Sequence, residues 1–278
     1  MTFFTVLIIM RVIILEVKIM DIGFIGMGNM ASALVRGFVD KRQLTPSHIH
    51  AYAPNREKLL QNAQTLGFQA SSSLPELVNK SDILVMACKP RQVAGVIAEL
   101  GDALAGKAIV SVALGWDHAA YREVLPESTR VQFVMPNTPA AVGEGVFLFE
   151  ETNSLAKGEL VFIKALFEAL GTVIVLPSAQ MGIGGAIAGC GPAFVDMMID
   201  AFADAGVRYG LSRENALKMT AQMILGSAKL QRETGKHPGV LKDEVCSPGG
   251  STIKGVAALE KAGFRDNCIS AIDAIMKK

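Results

Sequence analysis

Hydrophobic positions change period repeatedly along the first 177 residues of the chain. Short continuous apolar runs, typical of strands buried on both faces, alternate with segments in which apolar residues recur at helical spacing. One strand, His48–Ala53, alternates between apolar and polar positions, and Gly67 ends the helix that follows it. The pattern predicts an α/β domain made of successive βαβ units. The predicted strands and helices are Ile22–Ile25, Arg56–Leu66, Ile83–Ala87, Ala108–Val112, Val131–Val134, Val146–Phe149, Leu155–Leu170 and Val173–Leu176, with a short helix opened by Ser73.

After Pro177 the period becomes helical throughout. The predicted helix Ala193–Tyr209 is apolar nearly all round, so it needs burial on several sides, in a helical layer or a subunit interface. Further helices are predicted at Arg213–Glu233 and from Lys254 to Ala262. We therefore expect two domains, an α/β domain over residues 20–177 and an all-α domain over residues 178–278 that forms an obligate homodimer.

A glycine-rich turn joins the first strand to the first helix. Gly26, Gly28 and Ala31 have the G-x-G-x-x-G/A spacing in which glycines let a pyrophosphate approach the backbone at a helix N-terminus. The alternative is a glycine turn without a ligand. The strand before the turn and the helix after it favour a Rossmann-type dinucleotide-binding domain. The helix is predicted to bury Met30, Ala33, Leu34, Gly37 and Phe38.

The second strand predicts which dinucleotide binds. NAD-binding domains usually carry Asp or Glu at its end to hold the ribose 2′-OH, whereas here Asn55 and Arg56 follow. Arg56 suits a 2′-phosphate, so NADPH is favoured and NADH is the alternative; Arg56 could instead be a solvated residue at a helix start. The ends of later strands, at Lys89 among others, should flank the cofactor. The predicted cofactor-binding residues are Ile25, Gly26, Met27, Gly28, Asn29, Met30, Asn55, Arg56, Ala87, Cys88, Lys89, Pro90, Ala113, Met135 and Asn137.

A second glycine loop lies in the helical half. Ser247 to Thr252 runs directly into a helix, and its bare backbone, hydroxyls and unpaired N–H groups at a helix N-terminus suit a carboxylate. Simple capping of the helix is the alternative explanation.

Composition excludes several other classes of protein. The chain has 278 residues, 50% of them hydrophobic, with 27 basic and 26 acidic residues and no basic run, so nucleic acid is not an expected partner. The four cysteines are far apart and lack C-x-x-C spacing, which disfavours zinc and a disulfide framework. We expect no metal, and reduced thiols in the cytoplasm.

Residues 1–19 are strongly apolar, but Arg11, Glu16 and Lys18 interrupt them, and they match neither a signal peptide nor a spanning helix well. The first strand starts at Asp21, directly after Met20. We expect an over-extended translation start outside the fold, with a short membrane anchor or an added edge strand as alternatives; no membrane partner is expected.

Several stretches together resemble the pyrroline-5-carboxylate reductase family, in family order from Met20 to near the end of the chain. Cys190 departs from the usual serine of the family and Phe194 from the usual tyrosine, and residues 1–19 have no family counterpart. The matching stretches are Ile22–Ala31, Lys89–Pro90, Met135–Ala140, Gly191–Ala193, Glu233–Asp243 and Ser247–Ile253.

The resemblance implies an oxidoreductase that reduces 1-pyrroline-5-carboxylate to L-proline with NAD(P)H, the last step of proline biosynthesis. It also implies a helical domain that interlocks two subunits, with larger rings of dimers possible as in the family. It implies that Thr252 shares a proton with the ring nitrogen of the substrate. A cyclic imine protonates readily in water, so positioning matters more than a strong base. The substrate-binding residues it implies are Val245, Ser247, Gly249, Gly250, Ser251 and Thr252.

Two alternatives stay open. A related NADP-dependent reductase of another imine or keto acid would keep the first glycine motif but should lack the Ser247–Gly250 block. A non-enzymatic NADP-sensing module would keep the fold and lose turnover.

Overall fold

A computed structural model describes residues 20–277 of the chain. The expectations for residues 1–19 concern a segment outside that range. The described chain contains an eight-stranded sheet with strand order β3-β2-β1-β4-β5-β6-β7-β8. The strands are β1 Ile22–Ile25, β2 Ile49–Tyr52, β3 Gln69–Ala70, β4 Ile83–Met86, β5 Ala108–Ser111, β6 Arg130–Met135, β7 Gly145–Glu150 and β8 Gly171–Leu176.

Helices surround the sheet and then make up the rest of the chain. Short 3-10 helices lie at Pro46–His48, Gly101–Leu104, Thr138–Val142 and Ser178–Gln180. The α-helices are α1 Asn29–Asp40, α2 Arg56–Leu66, α3 Leu74–Asn79, α4 Pro90–Leu100, α5 His118–Arg122, α6 Lys157–Glu168, α7 Met181–Ala188, α8 Gly191–Arg208, α9 Arg213–Thr234, α10 Pro238–Glu244, α11 Ser251–Lys261 and α12 Phe264–Met276.

The first six strands are parallel, in the Rossmann-type order that the sequence predicts, so the predicted fold class is confirmed. β7 runs antiparallel to β6, and β8 is parallel to β7. Side chains of the central strands alternate between two apolar cores: in β4, Ile83 and Val85 pack toward α1 and α6, while Leu84 and Met86 pack toward α3 and α4. Burial on both faces explains why the strands read as continuous apolar runs.

Local sequence signals fix the ends of the α2 and α3 helices. The Asn55 side chain accepts a hydrogen bond from the Lys58 amide at 3.0 Å and caps α2, and Gly67 ends the same helix at a φ of 82°. Ser73 caps α3 by accepting from the Glu76 amide at 3.3 Å. The predicted bounds of α2 are therefore confirmed.

The buried face of α1 is offset by one residue from the predicted stripe. Ala31, Leu34, Val35 and Phe38 face the core together with Gly37, whereas Met30 and Ala33 are only half-buried. The prediction that Met30 and Ala33 are fully buried was wrong because both residues line a cavity, described below; Met30 also packs against the core.

Contacts divide the described chain into two compact units, between Gly189 and Cys190. The change to helices comes at Ser178, but α7 packs with the sheet, since a side chain at Gly184 would collide with Leu148 and Leu176.

In the helical unit, α8 and α9 pack against each other, and α11 packs against α12. α8 buries only Ala203 within the single chain and leaves Phe194, Met197 and Phe202 exposed. By length and composition alone, Ser178–Arg208 could cross a membrane, with a mean hydropathy of 1.4. The sequence analysis expects this apolar surface to be buried in a helical layer or a subunit interface.

Candidate functional site

Gly26 makes the sharp turn at the end of β1. Its φ is +98°, its amide donates to the Tyr52 carbonyl at 2.8 Å, and a Cβ built on it would lie 2.7 Å from the Cys88 amide nitrogen. Both the backbone conformation and the neighbouring strand therefore require glycine at this position.

Gly28 has a different role. It is the N-cap residue of α1, in ordinary extended conformation, with no side-chain cap on the helix. A Cβ built on Gly28 meets no atom within 4 Å, so the space beside it is open. The uncapped N–H groups and the positive end of the α1 dipole lie at this open space, which suits the pyrophosphate of a dinucleotide.

A cavity of about 1160 Å³ opens from this turn, and all its lining residues lie between Ile25 and Ala141. It follows the carboxyl ends of β1, β2, β4 and β5, where ligands bind in open α/β sheets. Its size suits a dinucleotide rather than a small metabolite. Twelve of the predicted cofactor residues line it: Ile25, Gly26, Met27, Gly28, Asn29, Met30, Asn55, Ala87, Cys88, Lys89, Pro90 and Ala113.

Other lining residues were not predicted. One face of α4 contributes Gln92, Gly95, Val96 and Glu99 at helical spacing, beside the stripe of buried Val93, Ile97 and Leu100. That apolar i, i+4, i+7 stripe would have predicted the helix and hence its outer face. The remaining additions are Ala33, Tyr52, Ala53, Pro54, Lys58, Leu59, Leu74, Val112, Leu114, Thr138 and Ala141.

Arg56 does not line the cavity. Its Nη1 donates to the Ser71 carbonyl at 2.6 Å and so ties the start of α2 to the backbone just after β3. The structure thus gives the Arg56 guanidinium a structural contact, and it places Lys58, two residues later, in the cavity wall.

Met135 and Asn137 are also outside the lining. Met135 packs beside Phe133, Leu148 and Met181 in a separate apolar cluster. The Asn137 side chain is bonded at both polar atoms, because its Nδ2 donates to the Ala188 carbonyl at 2.9 Å and its Oδ1 accepts from the Val146 amide at 2.8 Å. The structure instead brings the next part of this loop, Thr138, to the cavity.

The thiol of Cys88 stands at the end of β4. Burial raises its pKa, so the group is a neutral thiol at neutral pH, and its Sγ lies 3.7 Å from the Met86 sulfur. Beside it, the Lys89 amide donates to Gln92 Oε1 at 3.0 Å, and Trp116 Nε1 donates to the Pro90 carbonyl at 3.0 Å. These bonds fix the backbone of the cavity rim between β4 and α4.

The second predicted site lies in the helical unit, at the start of α11. Gly249 adopts a φ of +71°, and the amide of Gly250 donates to the Ser247 carbonyl at 3.0 Å, which closes the turn. In this structure the Gly250 amide is therefore used within the loop itself. No side chain caps α11, and Ser251 and Thr252 are exposed at its first turn. The amides of Ser251 and Thr252 are therefore not capped by a side chain of the loop, so both could donate to an anion.

The part of the chain that the structure describes contains no cluster of metal-binding side chains. Residues 20–277 hold no group of three or more His, Cys, Asp or Glu side chains that could bind a metal ion, and the four cysteines are free.

Fold and cavity together define a dinucleotide-binding α/β protein with a separate helical unit. Residues 178–278 match the family described as pyrroline-5-carboxylate reductase dimerisation, and residues 21–115 match the family described as NADP oxidoreductase, coenzyme F420-dependent.

Relatives extend this likeness over almost the whole chain. The chain is 40% identical over 261 residues to the pyrroline-5-carboxylate reductase of Treponema pallidum, covering 92% of this chain and 99% of the relative. It is 36% identical to that of Escherichia coli, with 92% and 96% covered. The chain belongs to the pyrroline-5-carboxylate reductase family.

Solved structures of the same family match the fold of this chain over most of its length. The pyrroline carboxylate reductase of Plasmodium falciparum with NADP bound matches with a TM-score of 0.83 at 31% identity, covering 92% of this chain and 95% of that one. The enzyme of Coxiella burnetii gives a TM-score of 0.85 at 29% identity, with 93% and 96% covered. A reductive aminase of Aspergillus terreus, at 19% identity and a TM-score of 0.54, shares the fold alone.

Proposed function

We propose that the protein reduces 1-pyrroline-5-carboxylate to L-proline, with NADPH as the preferred reductant and NADH as a weaker one. The observation that carries the proposal is that the glycine-lined cavity and the Ser247–Thr252 loop both occur in a chain 40% identical, over 261 residues, to a pyrroline-5-carboxylate reductase. The bound dinucleotide supplies the hydride, so the protein has to bind, orient and exclude water.

The cavity residues divide this task. Gly28 leaves space for the pyrophosphate, and the first N–H groups of α1 bind its charge. Lys89 lies at the end of β4, where the wall made by α4 begins, and Ala113 follows β5. The glycines and apolar side chains of this wall keep water from the reacting end of the cofactor.

The loop at the start of α11 binds the substrate carboxylate in this proposal. The amides of Ser251 and Thr252 carry partial positive charge at the helix N-terminus, and the loop hydroxyls add donors. The Thr252 hydroxyl shares a proton with the ring nitrogen. Val245, Ser247 and Gly249 shape the same loop.

Assembly and location follow from the helical unit and the cysteines. The match to the dimerisation family and the exposed apolar residues of α8 support a homodimer, and we propose a larger ring of dimers in solution. Four free thiols support a cytoplasmic location. Light scattering that gave a folded, active monomer at micromolar concentration would contradict the dimer, and a species of two chains only would contradict the ring.

The direct test is NADPH oxidation by the purified full chain, followed by the loss of NADPH absorbance, with pyrroline-5-carboxylate and with a panel of other cyclic imines and keto acids. We expect the highest kcat/KM with pyrroline-5-carboxylate. A higher value with another imine would favour the related-reductase alternative. Tight NADPH binding without turnover on any substrate would favour a sensing module.

A further inference from the structure

Among the residues that the structure describes, one cation at the ribose end of the cavity has no ion-pair or side-chain hydrogen-bond partner. This end is lined by Tyr52, the last residue of β2, and by the next three residues, Ala53, Pro54 and Asn55. Here a Rossmann-type domain distinguishes a 2′-phosphate from a 2′-OH. Lys58 lines it too, and among residues 20–277 its ammonium group takes part in no ion pair or side-chain hydrogen bond.

The position of Lys58 is set by the cap of α2. Asn55 accepts from the Lys58 amide at 3.0 Å, so Lys58 is in the first turn of the helix, close to its positive end. A phosphate at this end would meet both the dipole of α2 and the ammonium group. Lys58 is exposed, which leaves its side chain free to follow a ligand.

Arg56 is held elsewhere. Its bond of 2.6 Å to the Ser71 carbonyl directs one arm of the guanidinium to the sheet edge, and it does not line the cavity. Releasing it would leave that carbonyl without this donor.

We infer that Lys58, and not Arg56, is the residue that selects the 2′-phosphate of NADPH over the 2′-OH of NADH, while Arg56 fixes α2 to the segment after β3. The inference rests on the proposed use of NADPH. It separates two cations that the sequence places two residues apart and that would both suit a phosphate.

The test uses the full chain with Lys58→Met and Arg56→Met as a matched pair, since both remove a charge and keep a long apolar stem. Equilibrium binding of adenosine 2′,5′-bisphosphate and of AMP is measured by calorimetry, together with the ratio of kcat/KM for NADPH to that for NADH and the melting temperature. Because a hydrogen bond to a charged group is strong, Lys58→Met should lower the bisphosphate-to-AMP affinity ratio about tenfold to a hundredfold. Arg56→Met should change that ratio less than about threefold but lower the melting temperature. Lys58→Arg should restore most of the ratio.

Two results would overturn the inference: Arg56→Met lowering the ratio as much as Lys58→Met or more, or Lys58→Met leaving it unchanged. A wild-type protein that prefers the bisphosphate but does not turn over pyrroline-5-carboxylate would contradict the proposed reaction and leave the role of Lys58 standing.

Discussion

Replacing each glycine of the β1–α1 turn by alanine should separate folding from cofactor binding. An alanine at position 26 would have to adopt the φ of +98° that Gly26 has. Its Cβ would lie 2.7 Å from the Cys88 amide nitrogen. Left-handed backbone costs an L-residue roughly 1–2 kcal/mol, and overpacking against a fixed strand costs about 1–3 kcal/mol. Gly26→Ala should therefore lose roughly 2–5 kcal/mol, a fall in Tm of about 5–15 °C.

At Gly28 the same substitution meets no strain. The φ of −83° and ψ of −171° are allowed for alanine, and no atom lies within 4 Å of the new Cβ. The loss of glycine at an N-cap and the reduced freedom of the unfolded chain offset each other to within about 1 kcal/mol. The methyl group points into the space for the pyrophosphate, so NADPH affinity should fall at least about tenfold.

Circular dichroism gives both melting temperatures. The single tryptophan, Trp116, reports NADPH binding, because its Nε1 donates to the Pro90 carbonyl at the cavity rim. Wild-type affinity in Gly28→Ala, or an equal loss of Tm in both variants, would refute the division between a folding glycine and a binding glycine.

Three further outcomes are expected. Thr252→Ala should lower kcat/KM for pyrroline-5-carboxylate roughly tenfold to a hundredfold in steady-state assays with little change in NADPH affinity; an equal loss of both would place the loop outside the substrate site. Asn137→Asp loses the donor to the Ala188 carbonyl and should lower the free energy of unfolding, measured in urea, by about 1–3 kcal/mol. The control Asn153→Asp loses an exposed hydrogen bond and should lower it much less. Equal effects would contradict the structural role of Asn137. Burial, opposed in part by Asp21, lowers the pKa of His50 from its ordinary 6.5. The unfolded chain therefore binds the proton more tightly, and the free energy of unfolding should fall as the pH drops below about 6.5. His50→Gln should make this fall less steep in unfolding measured at several pH values, and an unchanged slope would contradict the reasoning.

Periodicity and turn chemistry were enough to predict the Rossmann-type domain and the helical half. Runs such as Ile83–Met86 are apolar because both faces of the sheet are covered, and caps such as Asn55 and Gly67 are chemically explicit. Elements with weak local signals were missed. β3 has only two residues, and α10 is a short helix of seven residues whose start is marked only by Pro238, a residue that suits the first turn of a helix.

Cofactor residues on the glycine turn were predictable because backbone geometry is encoded by glycine itself. The roles of individual side chains were harder to predict from the sequence. Arg56 and Asn137 are the right residue types at the ends of strands, yet the structure uses them for the Ser71 and Ala188 carbonyls. A sequence records which groups can form hydrogen bonds, whereas competition between partners is decided only when the strands and helices are brought together.

Every residue that lines the dinucleotide cavity falls within one uninterrupted segment, Ile25 to Ala141, and the loop proposed for the substrate lies more than a hundred residues later. Such an arrangement is modular. A gene segment that encodes the whole lining of the cofactor cavity can be inherited intact while the helical segment diverges, so the compound that is reduced can change while the reductant stays the same. The same separation offers protein engineers two independent design regions, one for choosing the reductant and another for choosing what is reduced.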